Sequence, residues 1–172
     1  MGYTLEEFAA DCKTALRNNT GDAALEAVAV CLRKALKDQD LVNKYVPEDM
    51  EDEKKIIFED PELGFVIRAH NYKGAKGGSP HDHGPTWAIY GQASGETTMT
   101  EWKIVRPANG DEPALVEKEK TYVMKPGDAQ VYPVGTVHAP YREDSTRLIR
   151  IEGQNCDNLT RTKIKEAVPA AE

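Results

Sequence analysis

Gly127-Asp128-Ala129-Gln130-Val131-Tyr132-Pro133-Val134-Gly135-Thr136-Val137-His138 joins a turn, a short β-like run, a second turn signal and a histidine. Lys125-Pro126-Gly127-Asp128 has type II turn chemistry, because Gly127 can take the positive φ that such a turn needs. Upstream, Ser79-Pro80-His81-Asp82-His83-Gly84-Pro85-Thr86-Trp87 places two of the chain's four histidines two positions apart. Residues i and i+2 of an extended chain project to one side, so the imidazoles of His81 and His83 can converge on a single ion while Asp82 points away.

Around these stretches lie short β-like runs separated by Gly, Pro and Asp: Lys55-Ile56-Ile57-Phe58, Gly64 to His70, Thr86 to Tyr90, Thr97 to Val105, Leu115-Val116, Lys120 to Met124, Gln130 to Tyr132 and Arg147 to Ile151. Seven or more strands with turn signals between them and no intervening helical period predict an all-β sandwich or barrel. The first fifty residues behave differently. Thr4-Leu5-Glu6-Glu7 fits a capping box, and Leu5, Phe8, Ala9, Cys12 and Leu16 supply a helical stripe, predicting a helix from Leu5 to Arg17. A second helix is expected over Asp22 to Lys37, ending in basic residues that suit its negative C-terminus, and a short third over Leu41 to Tyr45. The expected organisation is a helical cap over residues 1–50, covering a barrel opening or one sheet face, then a barrel over 51–160 and a tail over 161–172, frayed from Ala167 onward.

The chain has 172 residues, enough for one domain with a self-supporting core. A net charge of −7 disfavours a nucleic-acid surface and makes a small molecule the expected partner. Cys12, Cys31 and Cys156 are odd in number and widely spaced, so free thiols in a reducing compartment are expected. The N-terminus lacks a basic-then-apolar leader, and no apolar run approaches the roughly 20 residues of a membrane span. The expectation is a cytoplasmic protein with no membrane or nucleic-acid partner, present as a monomer or homodimer.

In the stretch ending at His138, Pro133 follows Gly127 by six residues, Gly135 follows two later and His138 three later, which reproduces the second motif of the cupins. With His81-Asp82-His83 upstream, closed by Gly95 at the end of its hairpin, residues 55 to 155 resemble a metal-binding cupin. The resemblance implies a mainly β fold, a jelly-roll double-stranded β-helix barrel with the N-terminal helices as its cap, and a metal held by His81, His83 and His138. The usual first motif also carries a glutamate four or five residues after its second histidine, where this chain has Trp87 or Ala88. A histidine-only set is similar to that of the thiol dioxygenases, the cysteine dioxygenase-like cupins, whose iron is held by three histidines. Thr97 to Trp102 and the preceding helices resemble the same family. The chain departs from it in having no histidine after His138, so the family's Ser-His-Tyr arrangement is absent or replaced. Ala88 stands where mammalian members have a crosslinked cysteine. Lys55 falls near the arginine that holds the substrate carboxylate, and a lysine is a point charge rather than a fork.

Three neutral imidazoles leave the charge of a divalent ion uncompensated, which draws an anionic substrate and leaves a position for O2. A structural zinc site is normally closed by four ligands, and Glu101 or Glu152 would have to supply the fourth from a neighbouring strand. Lys55, Arg68 and Arg150 are candidate substrate anchors. Tyr90 and Tyr132 lie on strands next to the ligands, and His70 shares a strand face with Arg68, which makes it a candidate acid, base or hydrogen-bond donor. Trp87 and Trp102 are expected to pack, and Lys73 to Ser79 is a basic loop placed to gate the mouth. The expected activity is a mononuclear non-haem Fe(II) dioxygenase acting with O2 on a small anionic substrate, thiols among them. The alternative is a cupin using Zn, Mn or Ni as a lyase or isomerase, or a small-molecule-binding module, and fold alone does not separate these.

Overall fold

A computed structural model of the chain describes residues 2–168. Three helices come first: α1 (Leu5–Asn18), α2 (Gly21–Lys37) and α3 (Gln39–Tyr45). The capping box forms, with Thr4 Oγ1 accepting from the Glu7 N–H at 3.1 Å and Glu7 Oε2 accepting from the Thr4 N–H at 2.9 Å. Ten strands follow: β1 (Lys54–Glu59), β2 (Val66–Tyr72), β3 (Lys76–Gly77), β4 (Ala88–Ser94), β5 (Thr97–Arg106), β6 (Ala114–Met124), β7 (Ala129–Tyr132), β8 (Val137–Arg142), β9 (Thr146–Glu152) and β10 (Ile164–Glu166). They form two five-stranded sheets, ordered β1-β2-β9-β4-β7 and β10-β6-β5-β8-β3, the architecture of a cupin-type barrel with helices at its N-terminus.

The two faces of the first sheet have opposite chemistry, because successive strand residues alternate sides. Ile67, Ala69, Ile89, Ile149 and Ile151 join Phe8, Val28, Leu32 and Val42 of the helices in the main apolar core. The helices therefore cover one sheet face rather than a barrel opening. Burying side chains of this size stabilises by about 1.5–3 kcal/mol each, so this layer is the fold's principal source of stability. Gly91 permits it: a Cβ there would lie 2.8 Å from Leu32 Cδ2, so the missing side chain lets α2 approach β4. The alternate residues Arg68, His70, Tyr90, Arg150 and Glu152 face the barrel interior. Trp102 packs with Val116 and Val137, and Trp87 packs against the main core, as their apolar rings dictate.

Several elements differ from the pattern expected. Leu115-Val116 and Lys120 to Met124 belong to one strand, β6, whose charged middle is exposed. β8 lies in what reads as irregular chain, and β10 falls in the expected tail, pairing in parallel with β6. Ala167 is tied down rather than frayed, its N–H donating to Val116 O at 2.8 Å, while residues 169–172 lie outside the described residues. Among the described residues no helix is long and apolar enough to cross a membrane.

Candidate metal centre

His138 sits on β8, and His81 pairs with it through an isolated bridge in which each N–H donates to the other's carbonyl at 3.0 Å. This backbone exchange places the upstream pair of histidines beside the third. The chain leaves extended geometry directly afterwards, at Gly84, which has a φ of 63° and whose Cβ would lie 2.7 Å from Thr160 O. Asp82 does point away from its flanking histidines, but it is buried and structural. Its Oδ1 accepts from the Gly84 N–H at 3.0 Å and the Thr162 N–H at 3.2 Å, pinning the ligand turn to the C-terminal segment.

The nitrogens of His81, His83 and His138 lie within 4.8 Å of one another. His81 Nδ1 donates to Ser79 O at 2.9 Å and His138 Nδ1 to Thr136 O at 3.2 Å, which fixes the tautomer of each ring and leaves the Nε2 lone pair free for an ion. His83 Nε2 and His138 Nε2 are 3.1 Å apart. Two nitrogens each ~2.1 Å from a shared ion would be ~3.0–3.4 Å apart, so the His83–His138 separation suits a metal of first-row size, with His81 within 4.8 Å of both. Burial pushes His81 down to about 4 and His83 and His138 far below the ordinary histidine range, so all three are neutral, as ligation requires.

Tyr90 completes the inner wall. Its hydroxyl lies 2.8 Å from His83 Nε2 and 3.1 Å from His138 Nε2, and burial raises it to about 12, so the phenol keeps its proton. Tyr132 contributes differently. Its ring stacks on His138 with centroids 4.3 Å apart, while its hydroxyl turns to Tyr122 at 2.7 Å, away from the imidazoles.

Beside the histidines a cavity of about 180 Å³ opens. Lys54, Arg68, Arg150 and Arg161 line it against Glu152 and Asp157, four cations against two carboxylates in a chain that is otherwise acidic. Arg68 Nε donates to Glu152 Oε2 at 3.0 Å, and Arg150 Nη1 to Glu152 Oε1 at 3.3 Å. The Arg150 guanidinium lies over the Tyr90 ring, 4.3 Å from its centroid, which connects cavity to metal cluster. His70 also faces the cavity. Lys55 does not. It pairs with Ala69, on the helix-facing side of the sheet, and is exposed; its neighbour Lys54 pairs with His70 and takes the cavity position.

Glu101 and Glu152, the two carboxylates considered as a fourth ligand, are engaged elsewhere: Glu101 with Lys120 at 3.1 Å, Glu152 with the two guanidiniums. Glu152 and Cys156 do approach His83, with donor atoms within 4.8 Å. Burial and Glu152 push the Cys156 thiol up to about 12, so the thiol keeps its proton, and Glu152 is already engaged by two guanidiniums. Lys54, Arg161 and Tyr72 are residues the sequence analysis passed over, and it read Cys156 only as a free thiol. The i, i+2 spacing that puts His70 on one strand face with Arg68 signalled part of this polar interior in advance.

The fold is that of a cupin-type barrel, and it carries three clustered histidines that could hold a metal ion. No family model matches the chain, and no curated protein matches it. Among solved structures, a conserved protein with a double-stranded β-helix domain from Klebsiella pneumoniae is 17% identical over 72% of this chain and 88% of its own, with a TM-score of 0.47. KdgF from Halomonas sp. is 20% identical over 64% and 86%, with a TM-score of 0.45. A cupin-2 domain containing protein from Shewanella frigidimarina is 14% identical over 57% and 76%, with a TM-score of 0.41. None of the three is named as a thiol dioxygenase.

Proposed function

We propose that this protein is a mononuclear Fe(II) cupin dioxygenase acting with O2 on a small anionic substrate, with thiols the first class to examine. The observation that carries this is the juxtaposition of three neutral imidazoles, without a carboxylate ligand, and a cation-lined cavity next to them. His81, His83 and His138 would hold the ion. When bound, Fe(II) supplies open positions for an anionic substrate atom and O2, and the electrons that activate O2.

The chain's own residues bind, orient and exclude water. Arg150, held over the Tyr90 ring, offers a positive group at the end of the cavity nearest the cluster. Arg68 is spent on Glu152 and Asp157, so it sets the shape and charge of the wall rather than meeting substrate directly. Tyr90 holds its proton at the hydroxyl oxygen beside His83 and His138, where it donates to a developing negative charge. Three cysteines without a disulfide suit a reducing, cytoplasmic setting, and the protein acts as a monomer or homodimer.

The test is metal analysis of protein purified without added metal, together with O2 consumption on a panel of small thiols. Iron near one per chain with thiol-dependent uptake is expected. Zinc, manganese or nickel with no uptake sinks the dioxygenase in favour of a non-oxidative metal-dependent cupin.

A further inference from the structure

Cys12 of α1 and Cys31 of α2 meet across the helical layer, away from the metal centre. Two contacts fix how these antiparallel helices align. The Tyr3 N–H donates to Asp38 Oδ2 at 2.6 Å, one residue past the end of α2, and Lys34 Nζ lies 3.4 Å from Asp11 Oδ2. Cys12 follows Asp11 directly and Cys31 lies one turn before Lys34, so the same alignment sets the two thiols at one level. Both belong to one apolar cluster, with Cys12 at 0% exposure and Cys31 half-buried at its margin. Ala9 and Ala35, three and four residues away on the same helix faces, are buried as well, and their short side chains let the helices come close.

The two thiols are hydrogen-bonded to each other. Cys31 Sγ donates its own proton to Ala27 O at 3.3 Å, which leaves the sulfur's lone pairs to accept from Cys12. That bond, with burial, raises the Cys12 thiol well above its ordinary value. The same bond lowers the Cys31 thiol, against desolvation and Asp11, and Lys34 adds to the lowering. Cys31 is therefore the more acidic and the more accessible of the pair, with a second thiol in place to react with it once oxidised. Among the described residues no third His, Cys, Asp or Glu joins them within metal-ligating reach, which sets chemistry between the sulfurs above cation binding. Cys156 lines the cavity on the other side of the first sheet and cannot stand in for either.

We propose that Cys12 and Cys31 form a reversible dithiol–disulfide site, oxidised by hydrogen peroxide through Cys31 and restored by small thiols. It uses none of the residues of the metal centre. The Cys31 thiolate attacks a peroxide oxygen, so that the S–O bond forms and the O–O bond breaks, and the departing hydroxide takes up the proton Cys31 released. The Cys12 sulfur then attacks the sulfenic sulfur; the S–S bond forms, the S–O bond breaks, and the Cys12 proton leaves with that oxygen as a second water. The sulfurs lose two electrons in all and the peroxide gains them. Two small thiols reverse the change by leaving as their own disulfide. The bridge ties α1 to α2 across the turn between them, so oxidation stiffens the layer that covers the first sheet.

The experiment uses the full chain, cleared of metal by a chelator so that no ion consumes the peroxide. Hydrogen peroxide is expected to remove two hydrogens from the protein's mass, to join the Cys12 and Cys31 peptides in a tryptic digest and to leave Cys156 free. Tm is expected to rise by roughly 5–10 °C and to return on adding dithiothreitol. Cys12→Ala is expected to strand Cys31 as a sulfenic acid that dimedone traps, with Cys156 labelled at least about tenfold less. Cys31→Ala is expected to leave Cys12 unlabelled. A treated parent protein that keeps its full mass, gains oxygen without a crosslink, or links Cys156 or a second copy overturns the proposal, and that result needs no variant to fold. So does a bridge that fails to raise Tm, or dimedone labelling of Cys12 or Cys156 equal to that of Cys31.

Discussion

The hydroxyl oxygen of Tyr90 lies 2.8 Å from His83 Nε2, within the same small volume that an ion held by three imidazoles would occupy. The phenol and an ion therefore share the same nitrogen lone pairs. Tyr90→Phe is expected to tighten metal binding a few-fold, because it removes that competition, while lowering turnover by about tenfold to a hundredfold through loss of the donated proton. Metal titration alongside activity separates the two effects, and weaker metal binding in the variant contradicts the arrangement.

Metal should stabilise the fold through the same three residues. At a free metal concentration ~1,000 times Kd the native state gains about 4 kcal/mol, or very roughly 10 °C in Tm for a chain of this size. Calorimetry with and without metal measures the shift. His138→Ala is expected to abolish it, and a variant that keeps the full shift removes His138 from the ligand set.

Glu152 balances Arg68 and Arg150 at a position 1% exposed. Glu152→Gln leaves two buried guanidiniums without their shared counter-charge and is expected to cost about 3–5 kcal/mol in urea unfolding. Exchanging the Arg68–Glu152 pair for Met and Gln together is expected to cost less than the sum of the single changes, since each single change strands a charge.

Acid should unfold the metal-free protein earlier than its carboxylates alone predict. In the unfolded chain each histidine takes up a proton near its ordinary value of 6.5, whereas His81 in the fold does so only near 4, and burial likewise holds His70, His83 and His138 well below the ordinary value. The unfolded state thus binds more protons below pH 6.5. Stability is fully present above 6.5 and falls as pH drops from there toward 4, by up to ~1.4 kcal/mol per pH unit for each histidine. Urea midpoints measured from pH 8 to 4 test this, and a flat profile across that window would show that the imidazoles are not buried neutral.

Gly91→Val should act at a distance from all of this. Its side chain would meet Leu32 and push α2 off β4, at a cost of about 1–3 kcal/mol. Metal affinity should stay within a few-fold of the parent, because the strain falls on the outer face of the sheet. A large loss of affinity would show that the helices do position the histidines.

How far these features were legible depended on the range of the interaction that makes them. The helices and the Thr4 cap were readable because they rest on neighbours in sequence. His81, His83 and His138 were readable because a fixed motif carries them. β8 was not, since Pro140 and the preceding Gly135 mark irregular chain, and only pairing with β5 and β3 draws it into a sheet. Lys54 and Lys55 exchanged places for the same kind of reason. A side-chain period of two makes every residue's face depend on register, and the pairing of β1 with β2, which shifts between Ile56 and Phe58, is invisible in the sequence. The roles of Cys156 and Arg161 arise from a segment that folds back over the barrel, a long-range event without a local signature.

The opposite chemistry of the two faces of the first sheet has an evolutionary consequence. Cohesion resides in the layer between the helices and Ile67, Ile89, Ile149 and Ile151, while Arg68, His70, Arg150 and Glu152 project from the same strands into the interior. Descendants of such a chain can trade interior residues in charge-matched sets, and so acquire new ligands, without repacking the layer that keeps them folded. Divergence should accordingly run at different speeds on alternate residues of a single strand.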